Sequence, residues 1–591
     1  MSGQENHSFE ENDLDVIETG HRKTESITNH NASPYNKSRK SNALYAYVSK
    51  HRKVFKTFGF IILYLFIIAY VVYAGIYWKN NNNDYNLQWC DGYGLLLLLV
   101  GIIHISLFYF LIIKRYLSKY IAQCCWPVTN FLMRFRSIKY GTRIGAIIFY
   151  LLVLLAVIIF LIIDTAEHRY RLISILGVIV LLGVGWIFSK HPEQIKWRTV
   201  FWGLILQFLL GLIMLRWPVG RSIFECISNK VATFLNFAKA GSRFVFSNEL
   251  VDKIAVFAFT VLPVLFFFSF FVQILTYLGA MQWIILKLGW VLQSIMGTTL
   301  CESLVAAANP FIGMSESPLM IKPYINQLTS SELHAVISSG FSTVSGSVLA
   351  AYISFGANPT HLIISSVMSA PTSLYYSKLF YPETEQSLTK YDNIKLEKSS
   401  DTSIIDAATN GALAALPIIL GIIANIVAFV SFIAFVNAVF SWCGGLVGYE
   451  ALSLEIILAK IFMPLSWIMG VPWDECEKVG MLIGLKVVIN ELIAYQRMGE
   501  LKDLSARSKA IATFAVCGFA NPSSIGIQIG LFSSLAPEKK EQVTRVILRS
   551  FVVGSATCFL TASIAGILID EIPSPSNNST TTMSNITTWQ H

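Results

Sequence analysis

Long apolar runs, each near the length of a membrane-crossing helix and almost free of charge, recur from one end of the chain to the other. A helix needs ~20 apolar residues to cross a bilayer core. Within lipid, every backbone N–H and C=O must be satisfied inside the segment, so helices are the expected element. The runs are Val54–Trp78, Tyr93–Ile113, Gly141–Asp164, Leu172–Ser189, Val200–Trp217, Asp252–Leu278, Leu333–Phe355, His361–Phe380, Ala407–Phe440, Ala510–Leu535 and Val543–Ile569. About eleven spans follow from this count. Composition agrees, with 54% hydrophobic and 14% charged residues, against about 25% charged in soluble domains. The fold class expected is an all-α polytopic membrane protein.

The formal charge of +9 is no sign of nucleic-acid binding. Basic residues sit in short segments between apolar runs, where they orient the chain. Lys114, Arg115, Lys119, Arg134, Arg136 and Lys139 follow the second run, and Lys190, Lys196 and Arg198 the fourth. Lys390, Lys395 and Lys398 follow the eighth, and Lys539, Lys540 and Arg545 separate the last two. All four groups fall on one side if the N-terminus is cytosolic, and an odd number of spans then puts the C-terminus outside. Arg497, Lys502, Arg507 and Lys509 run against this pattern.

Residues 1–49 are polar, lack an apolar signal core and read as a disordered cytosolic tail. Residues 50–170 read as three accessory spans, 171–570 as a transport core, and 571–591 as an extracellular tail. That tail holds the glycosylation sequons of Asn577, Asn578 and Asn585, although Asn6, Asn31 and Asn36 of the first tail also sit in sequons. The cysteines form no CxxC pair or Cys/His cluster, so no zinc or redox site is expected. Cys124 and Cys125 suit palmitoylation or are plain thiols, and a bridge between Cys90 and Cys443 is open.

Two regions, Met281–Ile325 and Leu452–Gln496, are apolar overall yet interrupted by Pro, Gly, Asn and Glu. Each opens on an amphipathic stretch, "MQWIILKLGWVLQSI" and "LSLEIILAKIFM", suited to the membrane face. Each is read as a re-entrant hairpin, at about 295–327 and about 464–497, entering from opposite faces as in an inverted repeat. Irregular backbone survives at membrane depth where it lines a protein-walled or wet cavity.

The interruptions carry the chemistry. In "AANPFIGMSESP" Pro310 removes a helix hydrogen bond and disfavours helical geometry at Asn309, while Gly313 permits an open backbone. Freed carbonyls and the Asn309 amide suit a hard cation, and Ser315 and Glu316 face the same opening. The alternative is a kinked helix with Glu316 at the interface. In "GLKVVINELIAY" Glu491 is either a second carboxylate meeting Glu316 or the partner of Lys486. "GFANPSSIG" breaks a span at Asn521-Pro522 and exposes Asn521, Ser523 and Ser524 beside Phe519. "GFSTVSGSVLAAY" is either the matching break or small-residue helix packing. Two carboxylates, amides, hydroxyls and an aromatic ring suit a neutral, hydroxyl-rich, partly aromatic solute.

Five ordered motifs, "NPFIGMSESPL", "GFSTVSGSVLAAYISFG", "SVMSAPTSLYYSKLFYPETE", "GLKVVINELIAY" and "CGFANPSSIGI", make the chain resemble the concentrative, sodium-coupled nucleoside transporters of animals. The resemblance covers roughly Leu172 to Ile569. It implies a plasma-membrane homotrimer, each protomer with its own site between two hairpins and two unwound helices. It implies that Gly313, Met314, Ser315 and Glu316 contact the nucleoside and that Ser347 and Val348 shape the base pocket. Glu491, Asn521 and Ser524 would hold the ribose, with Phe519 packed nearby. Sodium would lie among Asn309, the Ile312 carbonyl, Ser342, Thr343 and Ser347. No organic cofactor and no nucleic-acid partner are implied.

The sequence departs from the family at Pro310 and Pro522, where an apolar residue is common, and at Ser315, where Thr is usual. Met314 is similar to purine-preferring members, and Ser317 and Ser347 to broad-specificity ones, so base preference stays open. The expected activity is sodium-coupled nucleoside symport into the cell, not enzymatic catalysis. The alternatives are proton-coupled symport and a channel for small polar solutes.

Overall fold

A computed structural model describes residues 52–81, 87, 89–108, 141–389, 399 and 401–570. The expectations for residues 1–49 and 571–591, including every sequon, and for Cys124 and Cys125 lie outside the described residues. The chain divides into two units, residues 1–138 and 139–591.

In the first unit, α1 (Arg52–Asn81) packs on α2 (Tyr93–Phe108). His104 donates through Nδ1 to the Val100 carbonyl at 2.7 Å, so its Nε2 accepts from the Tyr64 hydroxyl at 2.7 Å. A histidine in an oily helix thus serves packing between neighbours.

In its described residues the second unit consists of helices joined by loops and turns, with no strand among them. It begins with α3 (Gly141–Asp164), α4 (Ile173–Ile187), α5 (Trp197–Gly211), α6 (Pro218–Asn236) and α7 (Ala238–Asn248). Then one succession of elements occurs twice. The first pass is α8 (Pro263–Tyr277), α9 (Ala280–Met296), α10 (Leu300–Ile312) leading into a 3₁₀ run (Ser317–Gln327), the split pair α11 (Ser330–Ser342) and α12 (Leu349–Ser354), and α13 (Pro359–Phe380). The second is α14 (Ile404–Gly445), α15 (Leu454–Ile468), the split pair α16 (Cys476–Val488) and α17 (Glu491–Glu500), the split pair α18 (Ala506–Val516) and α19 (Pro522–Leu535), and α20 (Lys540–Leu568). Matching elements meet: α8 packs on α14, and α13 on α20.

Five helical stretches among the described residues are long and apolar enough to cross a bilayer: Arg169–Ile187, Trp197–Arg216, Phe257–Tyr277, Ile404–Gly445 and Pro537–Leu568. Two of them differ sharply in burial. The apolar stretch of α20 is 89% buried, whereas that of α14 is 11% buried. A helix apolar all round belongs in a core or against lipid or a neighbouring subunit, so α20 is the axis of the unit and α14 a wall.

Local chemistry sets the element ends. Thr299 with Glu302, and Thr329 with Glu332, form capping boxes that start α10 and α11. Asn490 starts α17 by accepting the Ile493 N–H at 3.0 Å, and Asn521 starts α19 by accepting that of Ser524 at 2.9 Å. Pro522 occupies the first turn of α19, where its missing N–H is harmless.

One expected break moves. Pro310 lies inside α10, and the helix runs on to Ile312. A single proline removes one hydrogen bond, that to Ala306, and the rest of the turn holds. The chain leaves the helix at Gly313, whose φ of 89° suits glycine. Cys443 is a free, exposed thiol, so the bridge suggested with Cys90 is not formed.

Arg507, one of the four residues that run against the loop-charge pattern, has a structural role instead. It is buried and donates to the carbonyls of Gly566 (2.7 Å) and Ile569, while Arg171 donates to that of Ile567 (2.9 Å). Two guanidinium groups therefore close the C-terminal end of α20, where carbonyls lack helix partners. Arg507 is a helix cap rather than a loop charge. At the start of α14, Asp401 accepts from Ser399, Asn410 and Gln273 of α8, which hold its carboxyl below the usual range.

Candidate functional site

The four breaks converge. A Cβ on Gly313 would fall 2.5 Å from Ser345 Cβ, and one on Gly346 would fall 3.1 Å from the Phe311 carbonyl oxygen. The break after α10 and the break between α11 and α12 are thus pressed backbone to backbone, an approach that glycine alone allows. On the other side, Gly518 abuts Phe341 and Ser342 at the end of α11, its virtual Cβ 2.8 Å from the Phe341 carbonyl oxygen.

Between the breaks lies a cavity of about 370 Å³. All ten residues expected at the substrate line it. Gly313, Met314, Ser315 and Glu316 come from the first break, and Ser347 and Val348 from the turn before α12. Glu491 comes from the start of α17, and Phe519, Asn521 and Ser524 from the break before α19 and its first turn. Ile312 of the expected sodium set also lines it, whereas Asn309, Ser342 and Thr343 are buried behind it.

The two carboxylates differ in their surroundings. Glu491 is 4% exposed; it accepts from Asn521 Nδ2 at 2.8 Å and from the Tyr352 hydroxyl at 3.2 Å. It opens α17, where the helix dipole favours negative charge. Lys486, the alternative partner, makes no ion pair with it. Glu316 is half-buried, and its carboxylate makes no side-chain hydrogen bond or ion pair among the described residues, although its backbone carbonyl accepts the Leu319 N–H at 3.0 Å. One carboxylate is therefore held in place and the other is free to receive a ligand.

Asn309 is fully buried, and its Nδ2 donates to Ser339 Oγ at 2.8 Å. Its Oδ1 has no hydrogen-bond partner. An orphaned buried oxygen is costly, and this one fits a hard cation that takes oxygen ligands. The Ser342 hydroxyl is turned back onto the Ser338 carbonyl at 2.6 Å, and the hydroxyls of Ser345 and Ser347 lie 2.6 Å apart.

Several contributors were not singled out from the sequence. Tyr352 reaches Glu491 across 139 positions. Gln528 of α19 donates to the Met314 carbonyl at 3.2 Å and so steadies the first break from the second split helix. Pro417, Gly421 and Asn425 line the cavity from α14 at helical spacing. Their recurrence on one face of an oily helix was the available signal.

Apolar helices broken around a cavity that holds two carboxylates, amides and hydroxyls in a largely apolar wall define the class, a helical membrane transporter. The chain matches the family models "Na+ dependent nucleoside transporter N-terminus" over residues 176–249, "Nucleoside recognition" over 258–359 and "Na+ dependent nucleoside transporter C-terminus" over 361–566. It is 44% identical over 514 residues to solute carrier family 28 member 3 of Eptatretus stoutii, covering 84% of this chain and 74% of that protein. Solute carrier family 28 member 3 of Mus musculus is also 44% identical, over 71% of this chain, which spans 62% of that relative's length. The solved structure of CNTnw in an inward-facing substrate-bound state matches with a TM-score of 0.64 at 38% identity, over 68% of this chain and 98% of that one. The chain belongs to the sodium-dependent nucleoside transporter family, a family of membrane-embedded transporters rather than enzymes.

Proposed function

We propose that this chain moves nucleosides across the plasma membrane into the cell, coupled to sodium running down its gradient. The observation that carries the reading is a cavity walled by all four breaks, with two carboxylates in its lining and an orphaned amide oxygen behind. Sugar hydroxyls donate to Glu491 and Glu316, while Asn521 and Ser524 complete the ribose grip. The base lies against Gly313, Met314, Ser315, Ser347 and Val348, with Phe519 packed beside the nucleoside. Sodium is a second substrate, held by Asn309 Oδ1 with oxygens of Ile312, Ser342, Thr343 and Ser347.

Coupling requires that sodium and nucleoside each favour the same arrangement of the breaks. Sodium beside Asn309 orders the backbone that presents Gly313 and Glu316, so the sugar meets a formed site. An ion crossing the membrane potential releases about 2.3 kcal/mol per 100 mV. With about 1.4 kcal/mol per factor of ten, one sodium sustains accumulation of roughly tens-fold before its concentration gradient is added.

In the same reading, α10 with its 3₁₀ run and α16 with α17 are re-entrant hairpins of an inverted repeat, about eleven spans cross the bilayer, and residues 171–570 are the transport core. The N-terminus is cytosolic and the C-terminus, with its glycosylation sequons, extracellular. The bare face of α14 suits a homotrimer interface. Proton coupling is the rival, because Glu316 is an unpartnered carboxylate in the cavity. Uptake of a labelled nucleoside panel at fixed pH, with external sodium replaced by choline, decides between them. Uptake that persists in choline refutes the sodium reading.

A further inference from the structure

Lys486 is fully buried in α16, five residues before Glu491. Among the described residues no carboxylate oxygen lies within 4 Å of its ammonium, and Glu491 attracts it across a gap rather than in contact. The contrast is Lys378, also buried, which pairs with Glu302 at 2.8 Å and Glu383 at 3.3 Å. An ammonium buried without a counter-ion in contact is unfavourable unless fixed dipoles help to hold it. Lys486 Nζ contacts Cys558 Sγ at 3.8 Å and lies 5.6 Å from the centre of the Phe559 ring. The same thiol lies 3.6 Å from the Ser342 carbonyl oxygen and 3.4 Å from that of Cys517.

Those two carbonyls have a common character. Ser342 is the last residue of α11, and Cys517 caps the end of α18. Each stands at the negative pole of a helix whose final carbonyls lack intrahelical donors. The split helices of both passes thus bring their negative ends to one thiol, that of Cys558, and the Lys486 ammonium contacts the same thiol. Glycine keeps the crossing tight, since a Cβ on Gly554 would fall 2.4 Å from Phe341 Cβ.

In both passes the residue concerned lies within about one helical turn of the break. Asn309, with its orphaned oxygen, lies four residues before the Gly313 cap of α10, and Lys486 lies three before the Ile489 cap of α16. We propose that the Lys486 ammonium is a tethered cation, doing for the second pass what mobile sodium does for the first. It is a positioning residue: it touches no substrate. It holds the ends of α11 and α18, from which Thr343–Val348 and Phe519–Ser524 run into the cavity. A cation that travels with the chain and returns with it adds nothing to the charge moved per cycle, so this half of the site takes up no sodium of its own.

The inference rests on the sodium-coupled reading. Wild-type uptake that ignores sodium sinks that reading, whereas the variants below test Lys486 against a sodium-dependent wild type. Lys486→Met removes the charge and keeps apolar length; Lys486→Arg keeps the charge. Both are made in the full-length chain, counted at the cell surface, and assayed for uptake and charge movement against external sodium. In Lys486→Met the uncompensated helix ends draw in a further sodium. Its activation curve becomes steeper, and one additional positive charge accompanies each nucleoside, while Lys486→Arg keeps the wild-type curve and ratio. A Lys486→Met curve and ratio that match wild type per surface copy overturn the proposal, as does Lys486→Arg behaving like Lys486→Met. If Lys486→Met carries nothing, sodium-dependent protection of the purified protein against thermal unfolding is measured instead. A steeper curve than wild type supports the proposal, and an unchanged shape overturns it.

Discussion

Gly313→Ala tests the geometry on which the cavity depends. At φ 89° and ψ 174° the backbone of Gly313 is in a region open essentially to glycine, and holding alanine there costs about 1–3 kcal/mol. The new methyl would also fall 2.5 Å from Ser345 Cβ, an overpacking worth about 1–3 kcal/mol. Together these come to about 2–6 kcal/mol against the arrangement that presents Glu316. At about 1.4 kcal/mol per factor of ten, sodium-driven uptake per surface copy falls by at least about twenty-fold. The double variant Gly313→Ala with Ser345→Gly removes the collision and leaves the backbone strain. Measured against Ser345→Gly alone, it recovers about five-fold to about 150-fold of the loss and stays below the reference. Uptake by Gly313→Ala within two-fold of wild type would refute the reasoning, because the strained tip would then have no part in transport.

Further outcomes follow from the same site. Glu491→Gln exchanges a carboxylate that accepts from Asn521 and Tyr352 for an amide that brings its own N–H groups. Hydrogen bonds to a charged group are worth about 1.5–3 kcal/mol each, so the nucleoside KM rises by at least about ten-fold in uptake titrations at unchanged surface amount. Asn309→Ala removes the orphaned oxygen and the Ser339 contact. The sodium concentration for half-maximal uptake rises, and the nucleoside KM at saturating sodium moves much less. Thr329→Ala removes the cap of α11 and lowers stability in thermal unfolding by about 0.5–2 kcal/mol, without altering the shape of the sodium curve.

Much of the site was legible because its residues are out of character with their surroundings. Glu316, Glu491, Asn309 and Asn521 are polar groups in oily sequence, where each needs a partner or water. Gly313, Asn490 and Asn521-Pro522 carry the turn and cap chemistry that stops a helix. The exact stop after α10 was less legible. Asn309-Pro310 looks like the break, yet a lone proline costs one hydrogen bond, and only the positive φ at Gly313 turns the chain. Tyr352 and Gln528 were hidden for another reason. Their partners, Glu491 and the Met314 carbonyl, are distant in sequence, and local pattern does not encode such pairings. The helices α6 and α7 escaped because their residues are too mixed to register as apolar runs, although both pack against the long helices.

The central claim is that one nucleoside lies between Glu316 and Glu491 while sodium sits behind it at Asn309. The most direct test is a cryo-EM map of the full-length protein in sodium with a saturating nucleoside, compared with one in choline. The account expects ribose density within hydrogen-bond distance of both carboxylates and an ion at Asn309 Oδ1 in sodium alone. Nucleoside density outside this cavity, or ribose that contacts neither carboxylate, would contradict it.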